Sequence, residues 1–244
     1  MIQQTLTIVI PAYNESKRIL KNLIEIDNYI SKKSFNNSVQ TIIVNDGSKD
    51  DTLEIVNDWI TKESKNHFSV VSYTENRGKG YAIKEGFLKS NSDLILYTDA
   101  DGASPIEEVE KLFDAINQGF DVACGSRVLN SESSNVKMAI KRRFIGLMFH
   151  MILGILGLDF IQDTQCGFKL FKSDVAKKLA NAQKCFNFSF DIEYLFLAKR
   201  FGYKIKEVPI NWYHVKGSKV NLLTDSVKMF LEVLNIRFIY KYNI

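Results

Sequence analysis

The segment Leu94-Ile95-Leu96-Tyr97-Thr98-Asp99-Ala100-Asp101-Gly102 decides the fold, because an apolar run of strand length ends abruptly in two carboxylates. Side chains alternate faces along an extended chain, so Asp99 and Asp101 point to the same side at the end of the strand. Like charges so close repel unless a cation lies between or beside them. A hard divalent ion that keeps waters and phosphate oxygens suits one or two such carboxylates. By itself the pair is a weak signal, since acidic pairs are common in surface turns, but its position after a buried strand strengthens the interpretation as an ion site.

The sequence on either side of this segment alternates between strand-like and helix-like patterns. Buried strands are predicted at Thr5–Ile10, Thr41–Val44, Ser69–Tyr73, Leu94–Tyr97 and Asp121–Cys124. Helices are predicted at Ser16–Ile30, Asp51–Thr61, Gly80–Lys89 and Pro105–Asn117. Asp50 or Asp51 can cap the second helix, and Pro105 opens the fourth. The alternation predicts an α/β protein with a mostly parallel sheet covered by helices on both faces.

Four polar segments follow the predicted strands and should meet at one edge of the sheet. They are Pro11–Glu15, Asn45–Ser48, Asn76–Gly80 and Asp99–Gly102. In open α/β sheets, ligands bind beyond the carboxyl ends of the strands. We therefore expect a ligand site at this edge.

The chemistry of these segments suits a nucleotide. Asp46 at a strand end can accept a hydrogen bond from a nucleobase imide N–H, although an ordinary Asp-Gly turn is the alternative. Tyr13 can stack on a base, and Glu15 can accept a ribose or base proton. The loop Asn76–Gly80 is glycine-rich and basic and suits a phosphate, yet it matches neither a Walker loop nor a dinucleotide fingerprint.

Composition narrows the class of protein. The chain has 244 residues, 45% of them hydrophobic, and a net charge of +4. This length predicts one large domain, or one domain with an appendage. The basic residues gather in two local groups, which indicates anionic contacts and not a nucleic-acid coat. Three cysteines without metal-type spacing favour a reducing compartment, and a strand beginning at Thr5 leads us to expect no signal peptide or amino-terminal anchor.

The second half of the sequence contains two apolar stretches with basic residues. Lys141, Arg142 and Arg143 precede Phe144–Leu158, which as a helix would rise about 22 Å, too short for a hydrocarbon core of about 30 Å. It is predicted to be either a buried helix or an interfacial helix whose basic end meets lipid phosphates. Leu222–Tyr242 repeats the pattern.

Several motifs, in this order, resemble those of the family 2 inverting glycosyltransferases of the GT-A fold. The segments of the first half are Val9-Ile10-Pro11-Ala12-Tyr13-Asn14-Glu15, Val44-Asn45-Asp46-Gly47-Ser48-Lys49-Asp50 and Thr98-Asp99-Ala100-Asp101. Those of the second half are Gly125-Ser126-Arg127, Asp163-Thr164-Gln165-Cys166-Gly167-Phe168-Lys169-Leu170-Phe171, Phe190-Asp191-Ile192-Glu193, Val208-Pro209-Ile210-Asn211-Trp212 and Gly217-Ser218-Lys219. The latter resemble the polyprenyl-phosphate sugar synthases, most of all the dolichyl-phosphate β-glucosyltransferase branch.

This resemblance implies a GT-A (Rossmann-like) fold with carboxy-terminal amphipathic, membrane-facing helices. Residues 1–130 would form the nucleotide-sugar-binding half and residues 131–244 the acceptor-binding half of a single domain. The implied reaction transfers a hexose, glucose first, from a UDP-sugar to a polyprenyl phosphate. The implied setting is peripheral, on the cytoplasmic face of a membrane, with no nucleic-acid partner.

The resemblance also implies roles for individual residues. Nucleotide-binding positions are Pro11, Tyr13, Glu15, Val44, Asp46, Lys79, Asp99 and Ala100. Asp99 and Asp101 would hold Mg²⁺ or Mn²⁺. Acceptor-phosphate positions are Arg127, Arg142, Arg143 and Lys219. Asp101, Arg127 and Asp163 are the candidate catalytic residues, and Asp163 is either a general base or a structural carboxylate.

The sequence departs from the mannosyl relatives at two positions and leaves other functions open. Ala103 stands where those relatives place a further metal-ligating Gln, and Tyr213 stands where they place an Arg. The alternatives are a GDP-mannose donor, a soluble glycan hydroxyl as acceptor, and a non-catalytic nucleotide-sugar-binding protein.

Overall fold

The computed structural model describes residues 4–33, 38–129, 136–137, 151–215 and 224–242. The strands are β1 (Leu6–Ala12), β2 (Val39–Asp46), β3 (Phe68–Tyr73), β4 (Leu94–Thr98), β5 (Val122–Ser126), β6 (Val136–Lys137), β7 (Phe168–Lys172), β8 (Ile205–Pro209) and β9 (Trp212–Tyr213). The helices are α1 (Ile19–Lys32), α2 (Thr52–Lys62), α3 (Lys79–Lys89), α4 (Val109–Asn117), α5 (Ser173–Ala182), α6 (Phe190–Arg200) and α7 (Thr224–Leu234). A 3₁₀ turn, Ile106–Glu108, precedes α4, and a π-helical turn, Asn235–Ile239, follows α7.

Seven strands form one sheet in the order β3-β2-β1-β4-β7-β5-β8, and β6 pairs with β9 in a separate ribbon. All neighbours in the large sheet are parallel except that β7 runs antiparallel to both β4 and β5. This confirms the predicted α/β class with a mostly parallel sheet. Because β7 lies between β4 and β5, the sheet draws on both halves of the chain, and the boundary at residues 130 and 131 stays a prediction.

Helices cover both faces of the sheet, as the buried, Ile- and Val-rich strands require. One face packs against α1, α2 and α4 through residues such as Leu23, Val56 and Leu112. The other packs against α3, α5, α6 and the carboxy-terminal helix α7 through residues such as Phe87, Leu179 and Val233. The result is a three-layer sandwich with a hydrophobic core on each side of the sheet.

The five strands predicted from sequence are all present, with ends that differ by one or two residues. The four predicted helices are also present, although α1 begins at Ile19 and not at Ser16. The Asp50 carboxylate, one of the two predicted caps of α2, accepts the Thr52 N–H at 3.1 Å. The sequence did not predict the strands β6, β7, β8 and β9.

In both apolar stretches the α-helix ends before the last residue of the stretch. In Phe144–Leu158, residues 151–155 are helical and a turn follows at 156–157, while the start of the stretch lies outside the described residues. In Leu222–Tyr242, the α-helix ends at Leu234 and the π-helical turn ends at Ile239. Of the helices described, none has the length and apolar character needed to cross a bilayer.

Candidate active site

The polar loops that follow β1 and β2 are joined to each other at the carboxyl edge of the sheet. The Asn14 N–H donates to the Ser48 hydroxyl at 2.9 Å, and the Lys49 N–H donates to the Asn14 side-chain oxygen at 2.7 Å. Asn14 adopts a left-handed conformation with φ of 53°, which Asn tolerates better than most residues. The predicted meeting of these two segments is confirmed.

Asp46, the last residue of β2, binds the loop that precedes α3. Its buried carboxylate accepts hydrogen bonds from the Asn76 side chain at 2.9 Å, from the Arg77 N–H at 2.8 Å and from the Gly78 N–H at 3.0 Å. Burial raises the pKa of Asp46 although these N–H groups act in the opposite direction. Asp46 therefore fixes the basic loop against the sheet edge in this structure.

Glu15, at the end of the first loop, is bound by a cation that the sequence analysis did not single out. Arg18 donates from Nε and Nη2 to the two carboxylate oxygens of Glu15 at 2.8 and 2.7 Å. Its Nη1 lies 3.6 Å from an Asp101 carboxylate oxygen. Arg18 thus connects the first loop to the Asp99–Asp101 pair.

Asp99 and Asp101 lie at the end of β4, as predicted. The Lys79 ammonium, in the first turn of α3, lies 2.6 Å from Asp99. Asp101 accepts the Ala103 N–H at 3.1 Å, and burial together with the charge of Asp99 raises the pKa of Asp101. Burial acts to lower the pKa of Lys79, but Asp99 and the other nearby carboxylates outweigh it and raise that pKa.

Gly167, the residue before β7, leaves the space that the Asp99 carboxylate occupies. A Cβ built on Gly167 would lie 2.1 Å from Asp99 Oδ2 and 2.5 Å from Asp99 Cγ. The Asp99 N–H also donates to the Gly167 carbonyl at 3.2 Å. The absence of a side chain at position 167 therefore allows the orientation of Asp99.

Arg127 and Asp163 form a second charged group beside this pair. Arg127 donates from Nε and Nη2 to the two Asp163 oxygens at 2.8 Å each, and its main-chain N–H donates to Asp163 at 2.8 Å. Asp163 is 5% exposed, and burial acts to raise its pKa, but Arg127 outweighs burial and lowers it. The Asp163 N–H is held by Glu207 of β8 at 2.8 Å, and the Arg127 guanidinium lies 5.8 Å from the centre of the Trp212 ring.

A buried polar network lies beneath Asp99 and Lys79. The Lys169 ammonium lies 2.5 Å from Asp191, and the Tyr97 hydroxyl donates to Asp191 at 2.8 Å. Lys169 also donates to the Cys166 carbonyl at 2.7 Å. Both Lys79 and Lys169 lie 5.5 Å from the centre of the Tyr97 ring. The network links β4, β7 and α6 directly below the site.

The two positions that differ from the mannosyl relatives are neighbours in the structure. The Tyr213 N–H of β9 donates to the Ala103 carbonyl at 2.8 Å. The preceding loop is fixed by Glu108, which accepts the Asn211 N–H at 3.0 Å and the Asn211 side-chain amide at 2.7 Å. The residues after the Asp99–Asp101 pair therefore pack against the segment that carries Tyr213.

The predicted site residues fall into three groups. Asp46, Lys79, Asp99, Asp101, Arg127 and Asp163 gather at the carboxyl edge of the sheet together with Glu15 and the partly exposed Tyr13. The side chains of Pro11, Val44 and Ala100 are buried, which leaves their main-chain atoms to meet a ligand. Arg142, Arg143 and Lys219 lie outside the described residues.

Sequence reasoning missed Arg18, Lys169, Asp191 and Glu207 as parts of the site. Asp191 and Lys169 lie within motifs that carried the resemblance, which was the available signal for them. Glu207 carried no such signal, since the Asp163 N–H that it accepts is distant in sequence. Arg18 lies three residues from Glu15, but its second partner, Asp101, is distant as well.

The donor set of the Asp99–Asp101 pair is small and fits an ion that a ligand helps to hold. Among the described residues, no group of three or more His, Cys, Asp or Glu side chains is placed to hold a metal ion. Two carboxylates of which one is well exposed suit Mg²⁺ or Mn²⁺, since such ions keep waters and phosphate oxygens in their coordination shell. The residues present therefore fit a divalent ion shared with a diphosphate.

Comparison with known proteins agrees with the sequence motifs. The family model for glycosyl transferase family 2 matches residues 7–200. Proteins named dolichyl-phosphate beta-glucosyltransferase from Dictyostelium discoideum, Saccharomyces cerevisiae and Homo sapiens are 35%, 37% and 33% identical to this chain. Each alignment covers 96% of this chain, and they cover 74%, 75% and 75% of those proteins.

Solved structures share the fold at lower identity. Glucosyl-3-phosphoglycerate synthase from Mycobacterium tuberculosis in complex with phosphoglyceric acid matches with a TM-score of 0.74 at 19% identity, over 98% of this chain and 82% of that chain. The same enzyme in complex with Mn²⁺, uridine diphosphate and phosphoglyceric acid matches with a TM-score of 0.72 at 18% identity, over 98% and 80% of the two chains. A mannosyltransferase from Pyrobaculum calidifontis in complex with GDP-Man and Mn²⁺ matches with a TM-score of 0.61 at 17% identity, over 90% and 59%.

These matches confirm the family membership that the sequence motifs in both halves of the chain predict. The family model covers the strands, helices and loops that build the site, and the curated relatives extend the similarity to almost the whole sequence. The chain is an enzyme of glycosyltransferase family 2 with the GT-A fold.

Proposed function

We propose that this chain transfers glucose from UDP-glucose to a polyprenyl phosphate, with Mg²⁺ or Mn²⁺ as cofactor. The observation that carries the proposal is the 33–37% identity to dolichyl-phosphate beta-glucosyltransferases across both halves of the chain. In the reaction, an oxygen of the acceptor phosphate bonds to C1 of glucose while the bond from C1 to the β-phosphate oxygen breaks. UDP leaves, and the configuration at C1 is inverted.

The nucleoside is proposed to bind at the loops after β1 and β2. Tyr13 is 37% exposed beside this edge and offers a ring on which a base can stack. Asp46 is proposed to contribute to base binding in one of two ways. Its carboxylate can accept a further hydrogen bond from the base, or it can act indirectly by holding the Asn76–Gly78 loop in place. The segment Asp99-Ala100-Asp101-Gly102-Ala103, which resembles the glucosyl branch, supports a glucosyl donor over the mannosyl alternative.

The diphosphate is proposed to bind between Lys79 and Arg127, with the ion on Asp99 and Asp101. A bound divalent ion supplies stabilisation for the negative charge that develops on the leaving oxygen. Lys79 and Arg127 add fixed positive charge from the chain itself. Both side chains are about three-quarters buried, so their charges are only weakly screened by solvent.

Asp163 is proposed to position Arg127 and not to act as a general base. Its two oxygens already accept three hydrogen bonds from Arg127, and Arg127 lowers its pKa even though burial opposes this. A weakly basic carboxylate that is paired with a guanidinium is poorly suited to remove a proton. An acceptor phosphate with a second pKa of about 6 is already anionic near neutral pH, so positioning and desolvation are what it requires.

The acceptor is proposed to arrive from a membrane surface on its cytoplasmic face. Four apolar side chains of the carboxy-terminal helical segment are exposed, namely Phe230, Leu231, Phe238 and Ile239. Lys228 and Arg237 of the same segment are exposed as well. Apolar and basic residues on one short segment favour reversible binding to an anionic lipid surface. Arg142, Arg143 and Lys219 remain proposed contacts of the lipid phosphate.

One assay tests the proposal. Purified protein is incubated with radiolabelled UDP-glucose, UDP-galactose or GDP-mannose, with dolichyl or undecaprenyl phosphate and with Mg²⁺ or Mn²⁺, and the label is then extracted into organic solvent. Transfer from UDP-glucose supports the proposal, and Asp101→Ala serves as the inactive control. Preferred transfer from GDP-mannose would favour the mannosyl alternative. Transfer to a soluble glycan alone, or binding of UDP-glucose without turnover, would refute the proposal.

The membrane component is tested by flotation with anionic liposomes at low and high salt. Wild type should float at low salt, and a variant neutralised at Lys141, Arg142 and Arg143 should float less. Each basic residue near an anionic surface contributes about 1 kcal/mol, so high salt should release the protein. Wild type that never floats would contradict this component.

A further inference from the structure

Each carboxylate of the Asp99–Asp101 pair already faces a cation of the chain itself. Lys79 Nζ lies 2.6 Å from an Asp99 oxygen, and Arg18 Nη1 lies 3.6 Å from an Asp101 oxygen. Two neighbouring carboxylates that share no counterion would repel each other. In this arrangement the repulsion is offset before any ligand arrives.

Arg18 is held by a second carboxylate, and Lys79 starts from a backbone position with little freedom. The two-point hydrogen bond from Arg18 to Glu15 fixes the guanidinium plane and leaves Nη1 directed at Asp101. Lys79 follows Gly78, whose φ of 99° and close approach to the Phe186 carbonyl fix the start of α3. A Cβ at Gly78 would lie 2.3 Å from that carbonyl oxygen. Neither cation reaches the carboxylates by chance orientation of a free surface side chain.

The charges around the pair nearly cancel among the described residues. Glu15, Asp99, Asp101 and the buried Asp191 face Arg18, Lys79 and the buried Lys169, which leaves one net negative charge. The Arg127–Asp163 pair adds no net charge. A divalent ion alone would therefore leave the cluster positively charged and would compete with Lys79 and Arg18. A nucleoside diphosphate brings at least two negative charges and offers both cations a new partner.

We propose that Lys79 and Arg18 are internal counterions of the Asp99–Asp101 pair, and that they suppress divalent-ion binding until a nucleoside diphosphate draws them away. This inference rests on the proposed function, because it takes the ion and the diphosphate as ligands of this site. It assigns Lys79 a second role, and it makes Arg18 a positioning residue of the site.

The test measures metal binding and not turnover. Free Mn²⁺ is titrated by electron paramagnetic resonance with the wild-type protein, first alone and then with saturating UDP. A diphosphate that contacts the ion would by itself make UDP and Mn²⁺ bind more tightly together. The affinity of the variants for Mn²⁺ in the absence of UDP is therefore the quantity that tests the counterion role. Lys79→Met is expected to bind Mn²⁺ alone about tenfold more tightly than wild type and to bind UDP more weakly, which reduces the coupling between the two ligands.

Arg18→Gln is the second variant and is expected to change Mn²⁺ affinity in the same direction by a smaller factor, since its distance to Asp101 is longer. Lys89→Met at the other end of α3 and Lys17→Gln beside Arg18 remove the same charge from exposed positions. Both controls should bind Mn²⁺ as wild type does. Circular dichroism and thermal melts of all four variants show whether each is folded.

The results separate this inference from the proposed function. Unchanged or weaker binding of Mn²⁺ alone in folded Lys79→Met and Arg18→Gln would overturn the counterion role, even with normal glucose transfer by wild type. Equal gains in the two control variants would overturn it too, because the effect would then be one of net charge. Tighter binding in both site variants and no transfer of glucose to dolichyl phosphate by wild type would refute the proposed function and support the counterion role. No binding of Mn²⁺ with or without UDP would refute the counterion role and the metal site together.

Discussion

Replacing Gly167 with Ala should separate the function of the site from the stability of the fold. A Cβ at this position would lie 2.1 Å from Asp99 Oδ2, 2.5 Å from Cγ and 2.7 Å from Oδ1. Ordinary contacts require about 3.4 Å, so the carboxylate must move by roughly 1 Å or more. All three close atoms belong to the end of one side chain, and rotation of Asp99 can relieve the overlap.

The effect on stability should be small for three reasons. Asp99 is 40% exposed and can turn towards solvent. The ion pair with Lys79 that is lost in this way is partly exposed and is worth about 0–1 kcal/mol. Gly167 is not among the glycines with positive φ, so Ala gains about 0.4–1 kcal/mol from a less flexible unfolded chain. The free energy of unfolding should therefore change by less than about 1 kcal/mol.

The effect on activity should be large, because Asp99 is a proposed ligand of the ion and the diphosphate. Displacement of a reacting or positioning group by about 1 Å lowers rates by about 100-fold. The expected result is a loss of about two orders of magnitude in kcat/KM for glucose transfer and weaker binding of Mn²⁺ in the presence of UDP.

The assay combines organic-phase extraction of labelled product with urea unfolding of the same preparation. Gly154→Ala is the matched control, because a Cβ there would meet the Asp159 carboxylate at an ordinary 3.4 Å and Gly154 lies in the helical residues 151–155. The control should keep wild-type activity. Wild-type kcat/KM in Gly167→Ala, or a loss of activity that merely parallels a loss of several kcal/mol of stability, would refute the reasoning.

The remaining predictions concern charged residues of the site. Asp163→Asn should lower the free energy of unfolding by about 3 kcal/mol at pH 7, because it breaks a largely buried ion pair. Burial acts to raise the pKa of Asp163, but Arg127 outweighs it and holds that pKa below its ordinary value. The ion pair therefore stabilises the protein fully at any pH above the pKa of Asp163 in the unfolded chain. This stabilisation is lost as the pH falls through the lower pKa of Asp163 in the folded protein. Thermal melts of wild type and variant should converge as the pH falls below the ordinary carboxyl pKa, and a constant difference would contradict this. Asp46→Ala should weaken UDP binding by at least about tenfold, because one charge-assisted hydrogen bond is lost. The KM for polyprenyl phosphate should remain nearly unchanged. Tighter calorimetric binding of GDP than of UDP would contradict the uridine assignment. Asp101→Ala, and EDTA with wild type, should abolish transfer without unfolding the protein, and full activity in EDTA would disprove the metal assignment.

Much of the fold could be predicted from sequence because the first five strands are continuous apolar runs. Such runs are typical of strands that are buried on both faces of a sheet. The strand β7 escaped this reasoning because its sequence, Phe168-Lys169-Leu170-Phe171-Lys172, has lysines at its second and last positions. Lys169 is nevertheless 1% exposed, since Asp191 and the Cys166 carbonyl bind its ammonium. The ion pair with Asp191, which lies 22 residues away, allows Lys169 to be buried although the sequence pattern indicates an exposed residue.

The location of the site could be predicted from sequence, because its carboxylates lie at the ends of recognisable strands. Asp46 ends β2, and Asp99 and Asp101 follow β4, so their common edge follows from the topology of a parallel sheet. Arg18 precedes a helix, where a basic residue usually faces solvent, and its two carboxylate partners are recognisable only in three dimensions. Strand ends thus predict where a site lies, while the counterions that set its charge depend on side-chain packing.

The antiparallel strand β7 brings the segment before it against two neighbouring strands of the sheet. Asp163 and Gly167 are four residues apart on the approach to this strand. Asp163 fixes the Arg127 guanidinium at the end of β5, and Gly167 gives the Asp99 carboxylate its place at the end of β4. Because β7 pairs with β4 on one side and β5 on the other, this short segment is in contact with both neighbours at once. The Asp99 carboxylate and the Arg127 guanidinium are therefore positioned by the same few residues, and a shift of this segment would displace both.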